Sequence, residues 1–145
     1  MALGRSRRKP WDVKIRIERP LQESVRIIAQ TAGCTFSECV DALLLLTEAQ
    51  YTESSGDELI FGLLELKGKR ILNIADIRAK APRVSCHVML SAKARDFATL
   101  LYESYPPVFG STNEAIDLCL AYWQRCCESR GHLEYVARRL SRFVG

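Results

Sequence analysis

The segment VKIRIERPLQESVRIIAQTAGCTFSEC, residues 13–39, contains two hydrophobic patterns in succession. From Val13 to Ile17 apolar and basic residues alternate, which predicts a strand with one apolar and one cationic face. Pro20 then suits the first turn of a helix, and Gly33 suits its end. The segment therefore predicts a short strand joined directly to an amphipathic helix. Its apolar stripe consists of Leu21, Val25, Ile28, Ala29 and Ala32.

The sequence after Gly33 predicts a second helix that ends near Gln50. Thr35 or Ser37 can cap this helix, and Glu38, three residues after Thr35, completes a capping box. Its apolar side is formed by Val40, Leu43, Leu44 and Thr47. The first unit is thus strand, helix, glycine turn and helix.

The same order of elements recurs in residues 83–127. The sequence RVSCHVML alternates as a strand does, Ser91 can cap the helix that follows, and Ser111 with Glu114 forms a capping box for another. The inner face of the first of these helices is Ala94, Phe97, Ala98 and Leu101, with Tyr105 at its end. The segment that begins at Ser37 aligns with the segment that begins at Asn113 at an offset of 76 residues, and the strands align at an offset of 73. This pattern indicates an internal duplication.

Two further segments lie outside the repeated units. Residues 51–82 are expected to be a linker with short secondary structure, in which LIFGLLELKGKRILNIADI predicts either two short helices or a hairpin. Residues 128–145 predict a C-terminal amphipathic helix. Its apolar residues are Leu133, Val136, Leu140 and Phe143, and Arg138, Arg139 and Arg142 are expected to point outward.

One strand followed by two helices cannot close a core alone, whereas two such units can if their strands pair. The order strand, helix, G-x-T-x-S-E, helix resembles the ribbon-helix-helix family, the fold of the Arc and MetJ repressors. The resemblance covers residues 12–50 and 83–127, the two repeats. It implies a mainly α fold with a two-stranded antiparallel β-ribbon, in which tandem ribbon-helix-helix repeats form an intramolecular pseudo-dimer. Such single-chain forms resemble TraY-like and T-DNA-transfer accessory proteins.

The resemblance implies sequence-specific binding of double-stranded DNA through a β-ribbon in the major groove. The protein would act as a transcriptional regulator or as an accessory protein of plasmid or conjugative DNA transfer. Its partners would be DNA and either a second copy on an adjacent site or a relaxase or other protein. The alternative is a non-catalytic protein-interaction module, antitoxin-like or scaffold, because residues 51–82 and the C-terminal helix exceed a minimal DNA-binding core.

Site residues follow from the resemblance position by position. Lys14 and Arg16 can donate to guanine, and Met89 can contact a thymine methyl group. An ordinary solvent-exposed face is the alternative interpretation. The base-contacting set is Asp12, Lys14, Arg16, Ser85, His87 and Met89.

Phosphate contacts are implied at two places. The start of the second helix of each repeat favours an anion, because unpaired N–H groups and the helix dipole meet there; plain capping is the alternative. The basic N-terminal arm, residues 1–11, would add contacts that carry little sequence information. The residues are Thr35, Phe36, Ser37, Ser111, Thr112 and Asn113 at the helices, and Arg5, Arg7, Arg8 and Lys9 in the arm.

The charge distribution fits a polyanion-binding edge, although a solvated tail would give the same composition. The net charge is +4, but residues 1–16 carry six Lys or Arg against one Asp, and residues 125–145 carry five Arg against two Glu. The remaining residues are therefore net acidic. Positive charge concentrated at the two ends suits a phosphate backbone.

Several other classes are disfavoured by the sequence. No apolar run approaches the length of a membrane span, Ala42–Leu46 being only five residues, and MALGRSRRKP lacks the apolar segment of a secretory signal, so we expect a cytoplasmic protein. We therefore expect the six cysteines to be thiols, and their spacing predicts no metal site. His87 and His132 have no nucleophile and orienting carboxylate nearby in sequence, so neither catalysis nor a cofactor is expected.

Overall fold

The structure, a computed structural model, describes residues 11–53, 56–76, 82–128 and 130–144. These residues form a mainly helical fold with one two-stranded antiparallel sheet, as the sequence predicts. The elements are β1 (Trp11–Glu18), α1 (Arg19–Ala32), α2 (Phe36–Glu53), α3 (Gly56–Asp76), β2 (Arg83–Leu90), α4 (Ala92–Ser104), α5 (Thr112–Cys126) and α6 (Arg130–Leu140).

The two strands pair along their whole length. Trp11 lies opposite Leu90 at one end, and Glu18 lies opposite Arg83 at the other. Because strand side chains alternate, one face of this ribbon is apolar and packs on the helices, with β2 mainly on α2 and β1 on α5. The buried side chains are Ile15, Ile17, Cys86, Val88 and Leu90. The ribbon is therefore the outer layer of a two-layer fold.

Helix α1 begins without an intervening loop and ends as predicted. Arg19 follows β1 directly, and its N–H donates to the carbonyl of Pro82 (2.9 Å), which ties the start of the helix to the chain entering β2. Gly33 adopts a left-handed φ of 77°, which favours glycine, and the N–H of Cys34 donates to the carbonyl of Ala29 (3.0 Å). The glycine turn thus directs the chain into α2.

Helix α2 runs through the middle of the helical layer and is apolar on most of its circumference, as a buried helix must be. Its one buried polar side chain, Thr47, is paired: its hydroxyl donates to the carbonyl of Leu43 (2.6 Å) and accepts from the indole N–H of Trp123 (2.7 Å). This bond joins the centres of α2 and α5. The other buried residues of α2 are Cys39, Val40, Ala42, Leu43, Leu44 and Leu46.

Residues 56–76 form one helix, so the expectation of two short helices or a hairpin is wrong. Leu59, Ile60 and Leu63 are buried on one side of α3, which packs on α2 and α5. Gly68 sits in the Lys-Gly-Lys stretch read as a turn, but it is an exposed helical residue. A glycine in a helix costs only about 1 kcal/mol. Burial of the apolar stripe outweighs that cost.

The predicted C-terminal amphipathic helix is present as α6, but it spans Arg130–Leu140 and not the whole of residues 128–145, so Phe143 lies beyond its end. Val136 and Leu140 are buried, while Arg138 and Arg142 are exposed. The helix packs mainly on α1, with further contacts to α2 and α5. It therefore covers the side of the helical layer where α1 lies.

All six cysteines are free thiols, as expected. Burial raises the pKa of Cys119 to about 12 and that of Cys127 to about 11, and it raises the pKa of Cys39 well above its ordinary value. These thiols therefore stay protonated at neutral pH and behave as small apolar side chains.

We expect Thr47→Val to lower the free energy of unfolding by about 1–3 kcal/mol, because the indole N–H of Trp123 would be buried without an acceptor. Chemical denaturation measures the change. In a Trp123→Phe background, which has no indole N–H to satisfy, the same substitution should cost clearly less. Equal costs in the two backgrounds would contradict the role given to this bond.

We also expect the free energy of unfolding to fall as the pH rises above about 9. The thiols of Cys39 and Cys119 ionise near their ordinary value of 9.0 in the unfolded chain, whereas burial keeps them protonated in the folded state. A folded-state pKa that is raised gives stability that is lost at high pH. Urea denaturation between pH 8 and about 11 tests this: the decline should be shallower for Cys39→Ala/Cys119→Ala than for the wild type.

Candidate nucleic-acid interface

The outer face of the ribbon carries exposed side chains from both strands. In cross-strand order Asp12 lies opposite Met89, Lys14 opposite His87, and Arg16 opposite Ser85. Strand alternation places these six on the face away from the helices, and all six are exposed. The residues to which the resemblance assigns base contacts therefore lie together on one surface.

The two ends of this face carry different charged groups. At one end Arg16 lies near Arg83, whose guanidinium donates to the carbonyl of Arg16 (3.2 Å) and lies 3.7 Å from the carboxylate of Asp117. At the other end the carboxylate of Asp12 lies 3.3 Å from Nδ1 of His87. The Arg16 end therefore holds the guanidinium groups of Arg16 and Arg83 together with the carboxylates of Glu18, which lies opposite Arg83, and Asp117. The opposite end holds a carboxylate beside an imidazole.

Sequence reasoning missed Arg83. The residue is exposed and lies at the start of β2, on the same alternation as Ser85 and His87. That spacing is the signal that identifies it, whereas the exposed set predicted for this strand begins at Ser85. Arg83 adds a cation where β1 ends.

The N-termini of α5 and α2 border the two edges of the ribbon. Oδ1 of Asn113 accepts from the backbone N–H of Arg16 (2.8 Å), and Nδ2 of Asn113 donates to the carbonyl of Arg16 (3.3 Å). On the opposite edge, Oγ of Ser37 accepts from the backbone N–H of Met89 (3.1 Å). These side chains satisfy backbone groups that an open strand edge would leave unpaired. They also hold each helix N-terminus beside the exposed face.

The cap of α2 matches the predicted capping box. The hydroxyl of Thr35 accepts from the N–H of Glu38 (3.1 Å), and the carboxylate of Glu38 accepts from the N–H of Thr35 (2.9 Å). Thr35 is therefore the N-cap residue of α2, and the hydroxyl of Ser37 instead accepts from the ribbon. Phe36 is half-buried between them.

The cap of α5 matches only in part. Ser111 accepts from the N–H of Glu114 (3.0 Å) as predicted, but the carboxylate of Glu114 accepts from Gly110 (2.6 Å) instead of returning to Ser111. Glu114 is also paired with Lys67 of α3 (3.3 Å). Thr112 is half-buried in the first turn. The start of α5 is thus fixed from both α3 and β1.

Three further expectations concern the basic arm, a metal site and a membrane span. The arm residues Arg5, Arg7, Arg8 and Lys9 lie outside the described residues. Within the described ranges, no group of three or more His, Cys, Asp or Glu side chains is arranged to hold a metal ion. Among the helices described, none combines the length and apolarity needed to cross a bilayer.

Comparison with known proteins found no matching family model, no matching curated protein and no matching solved structure. The function must therefore be inferred from the ribbon and the two helix N-termini that border it.

We expect Asn113→Ala to reduce the hydrogen-exchange protection of the Arg16 amide roughly tenfold, the effect of losing one net hydrogen bond. Amide exchange followed by NMR measures it. Asn113→Asp keeps an acceptor for that N–H and should retain most of the protection. Unchanged protection in the alanine variant would show that this contact does not hold the edge of the ribbon.

Proposed function

We propose that the chain is a tandem ribbon-helix-helix protein that binds double-stranded DNA sequence-specifically, with the β1–β2 ribbon in the major groove. The observation that carries the proposal is the exposed polar face of this ribbon, with Lys14 and Arg16 beside Ser85 and His87. The major groove admits a two-stranded ribbon, and these side chain types can read base edges. The apolar face is already used by the protein core.

The strand register supports two repeats paired about a pseudo-two-fold axis. At a two-fold axis a residue faces its own equivalent. Lys14 and His87, which are equivalent at the strand offset of 73, lie directly opposite each other. Thr47 and Trp123, which are equivalent at the helix offset of 76, hydrogen-bond to each other. Both the strands and the central helices thus meet at corresponding positions.

The hydrogen bonds at the two ribbon edges also join equivalent positions of the two proposed repeats. Ser37 and Asn113 are equivalent at the helix offset, and Met89 and Arg16 are equivalent at the strand offset. Ser37 accepts from the N–H of Met89, and Asn113 accepts from the N–H of Arg16. Each repeat therefore closes the edge of the other repeat's strand, as two chains of a dimer would.

The side chains of the exposed face offer distinct base contacts. Arg16 and Lys14 can donate to O6 and N7 of guanine, Asp12 can accept from N4 of cytosine, and Met89 can contact a thymine methyl group. Each well-formed bidentate contact discriminates by about 1–3 kcal/mol. Arg83, beside Arg16 at one end of the face, is placed to contact a base or the adjacent phosphate.

The helix N-termini that flank the ribbon are the proposed phosphate clamps. The side chains of Ser37 and Asn113 are occupied by the strands, so the groups offered to phosphate are backbone N–H groups of the first turns. Thr35 and Thr112 lie in or beside these turns. The basic arm, residues 1–11, would supply further contacts without sequence information.

The biological role would be transcriptional regulation or assistance of plasmid or conjugative DNA transfer, because both use the same binding chemistry.

A second candidate, a non-catalytic protein-interaction module, is supported by the exposed apolar residues of α3, Phe61 and Leu64. The two candidates differ in the forces that dominate binding. DNA binding depends on cations, whereas docking by apolar surface depends on area.

Selection of bound duplexes from a random pool tests the proposal. The wild type should enrich a defined motif, and Lys14→Ala/Arg16→Ala should lose at least about 30-fold in affinity for it, from two lost base contacts. Arg26→Ala/Lys69→Ala removes the same charge from exposed positions on α1 and α3 and should retain the motif. If the ribbon variant keeps both affinity and preference, the base-contact assignment is wrong.

Salt dependence separates the two candidates. With about six phosphate contacts, affinity for the selected duplex should fall roughly a thousandfold between 50 and 200 mM salt. Fluorescence anisotropy with a labelled duplex measures the slope. A ligand bound through apolar surface would respond little, and a nearly flat slope would favour the protein-interaction module.

A further inference from the structure

The outward face of α3 presents apolar side chains that the fold does not cover. Phe61 is 68% exposed, the largest fraction for any large apolar side chain in the described ranges, and Leu64 on the next turn is 43% exposed. Neither lies on the buried side of α3, which is formed by Leu59, Ile60 and Leu63. A protruding aromatic ring of this kind is a common feature of interfaces.

A groove opens beside Phe61, between α3, α5 and α6. Its volume is about 300 Å³, and Leu66, Tyr122 and Cys126 form much of its wall. Gly62 belongs to the same wall, and a Cβ there would come into van der Waals contact with the Tyr122 ring at 3.5 Å. A cavity of about 150 Å³ holds a benzene molecule. The groove is therefore large enough for a phenyl ring.

Charges of opposite sign accompany the ring and the groove. Asp57, Glu58 and Glu65 are exposed on α3 around Phe61. Arg125, exposed on α5, lines the groove. Glu65 also lines the groove beside Arg125, so the electrostatic complementarity rests on Asp57 and Glu58 next to the ring and on Arg125 at the groove. Both features lie on one face of the same chain.

We propose that this face is a self-complementary interface, in which Phe61 of each copy enters the groove of a second copy of the chain. Because the ring and the groove are neighbours, a two-fold arrangement lets each copy both insert and receive. Glu58 of one copy would then face Arg125 of the other. All of these residues belong to α3, α5 and α6, so the proposal does not depend on DNA binding.

Sedimentation of the full chain without DNA tests the interface. The wild type should convert from monomer to dimer between about 1 and 300 µM, the range for a small interface. Phe61→Ala should raise the dissociation constant at least roughly tenfold, as for an interface hot spot. Ile27→Ala removes an apolar side chain of similar exposure (52%) from α1 and should leave the dissociation constant unchanged.

A charge exchange tests the pairing itself. Glu58→Arg and Arg125→Glu should each weaken the dimer, and the double variant should recover most of the wild-type association. A wild type that remains monomeric up to about 300 µM would overturn the proposal. So would equal dissociation constants for Phe61→Ala and Ile27→Ala, or a double variant weaker than both single ones. Near-UV circular dichroism of each variant verifies that these surface changes leave the fold intact.

Discussion

The whole fold depends on covering one face of a two-stranded ribbon. Two strands are not stable alone in water, and these two come from opposite halves of the chain. Pairing β1 with β2 therefore requires every element between them to fold compactly, and the helices must supply an apolar layer. Ile15 and Val88 are fully buried beneath the ribbon, so a shift of register by one residue would bring Lys14 and His87 into the core. The polar outer face is a consequence of that constraint.

Closing the ribbon also fixes its surroundings. Asn113 and Ser37 each bind the outer edge of a strand, which brings both helix N-termini to the border of the exposed face. In a ribbon made by two identical chains the two ends of this face would be the same, but here Arg83 and Asp12 mark different ends. In the proposed complex such a ribbon would read a non-palindromic site in one orientation. In the proposed tandem arrangement, the departure from two-fold symmetry would lie in the exposed side chains, while the contacts at the strand edges would keep it.

Local patterns predicted those elements whose signals agreed with one another. Strict alternation gave both strands, and the positive φ of Gly33 and the cap at Ser91 match their predicted roles. The α3 segment is ambiguous in sequence because Gly68 is a turn signal inside an apolar stripe. Packing on two other helices decides in favour of one continuous helix. The hydrogen bonds of the Asn113 side chain to the backbone of Arg16 could not be predicted, since they depend on tertiary contacts between distant segments. Alternation along RVSCHVML also places Arg83 on the exposed face, although the predicted exposed set begins at Ser85.

Helix α3 is more than a connection between α2 and β2. It packs on α2 and on α5, and Lys67 binds both the carbonyl of Val108 and the carboxylate of Glu114. These contacts use only one side of the helix. Folding places no demand on the Phe61 position, where an alanine would serve as well and would avoid exposing an aromatic ring to water. The ring at that position is therefore better explained by an interaction outside the folded chain than by the stability of the fold.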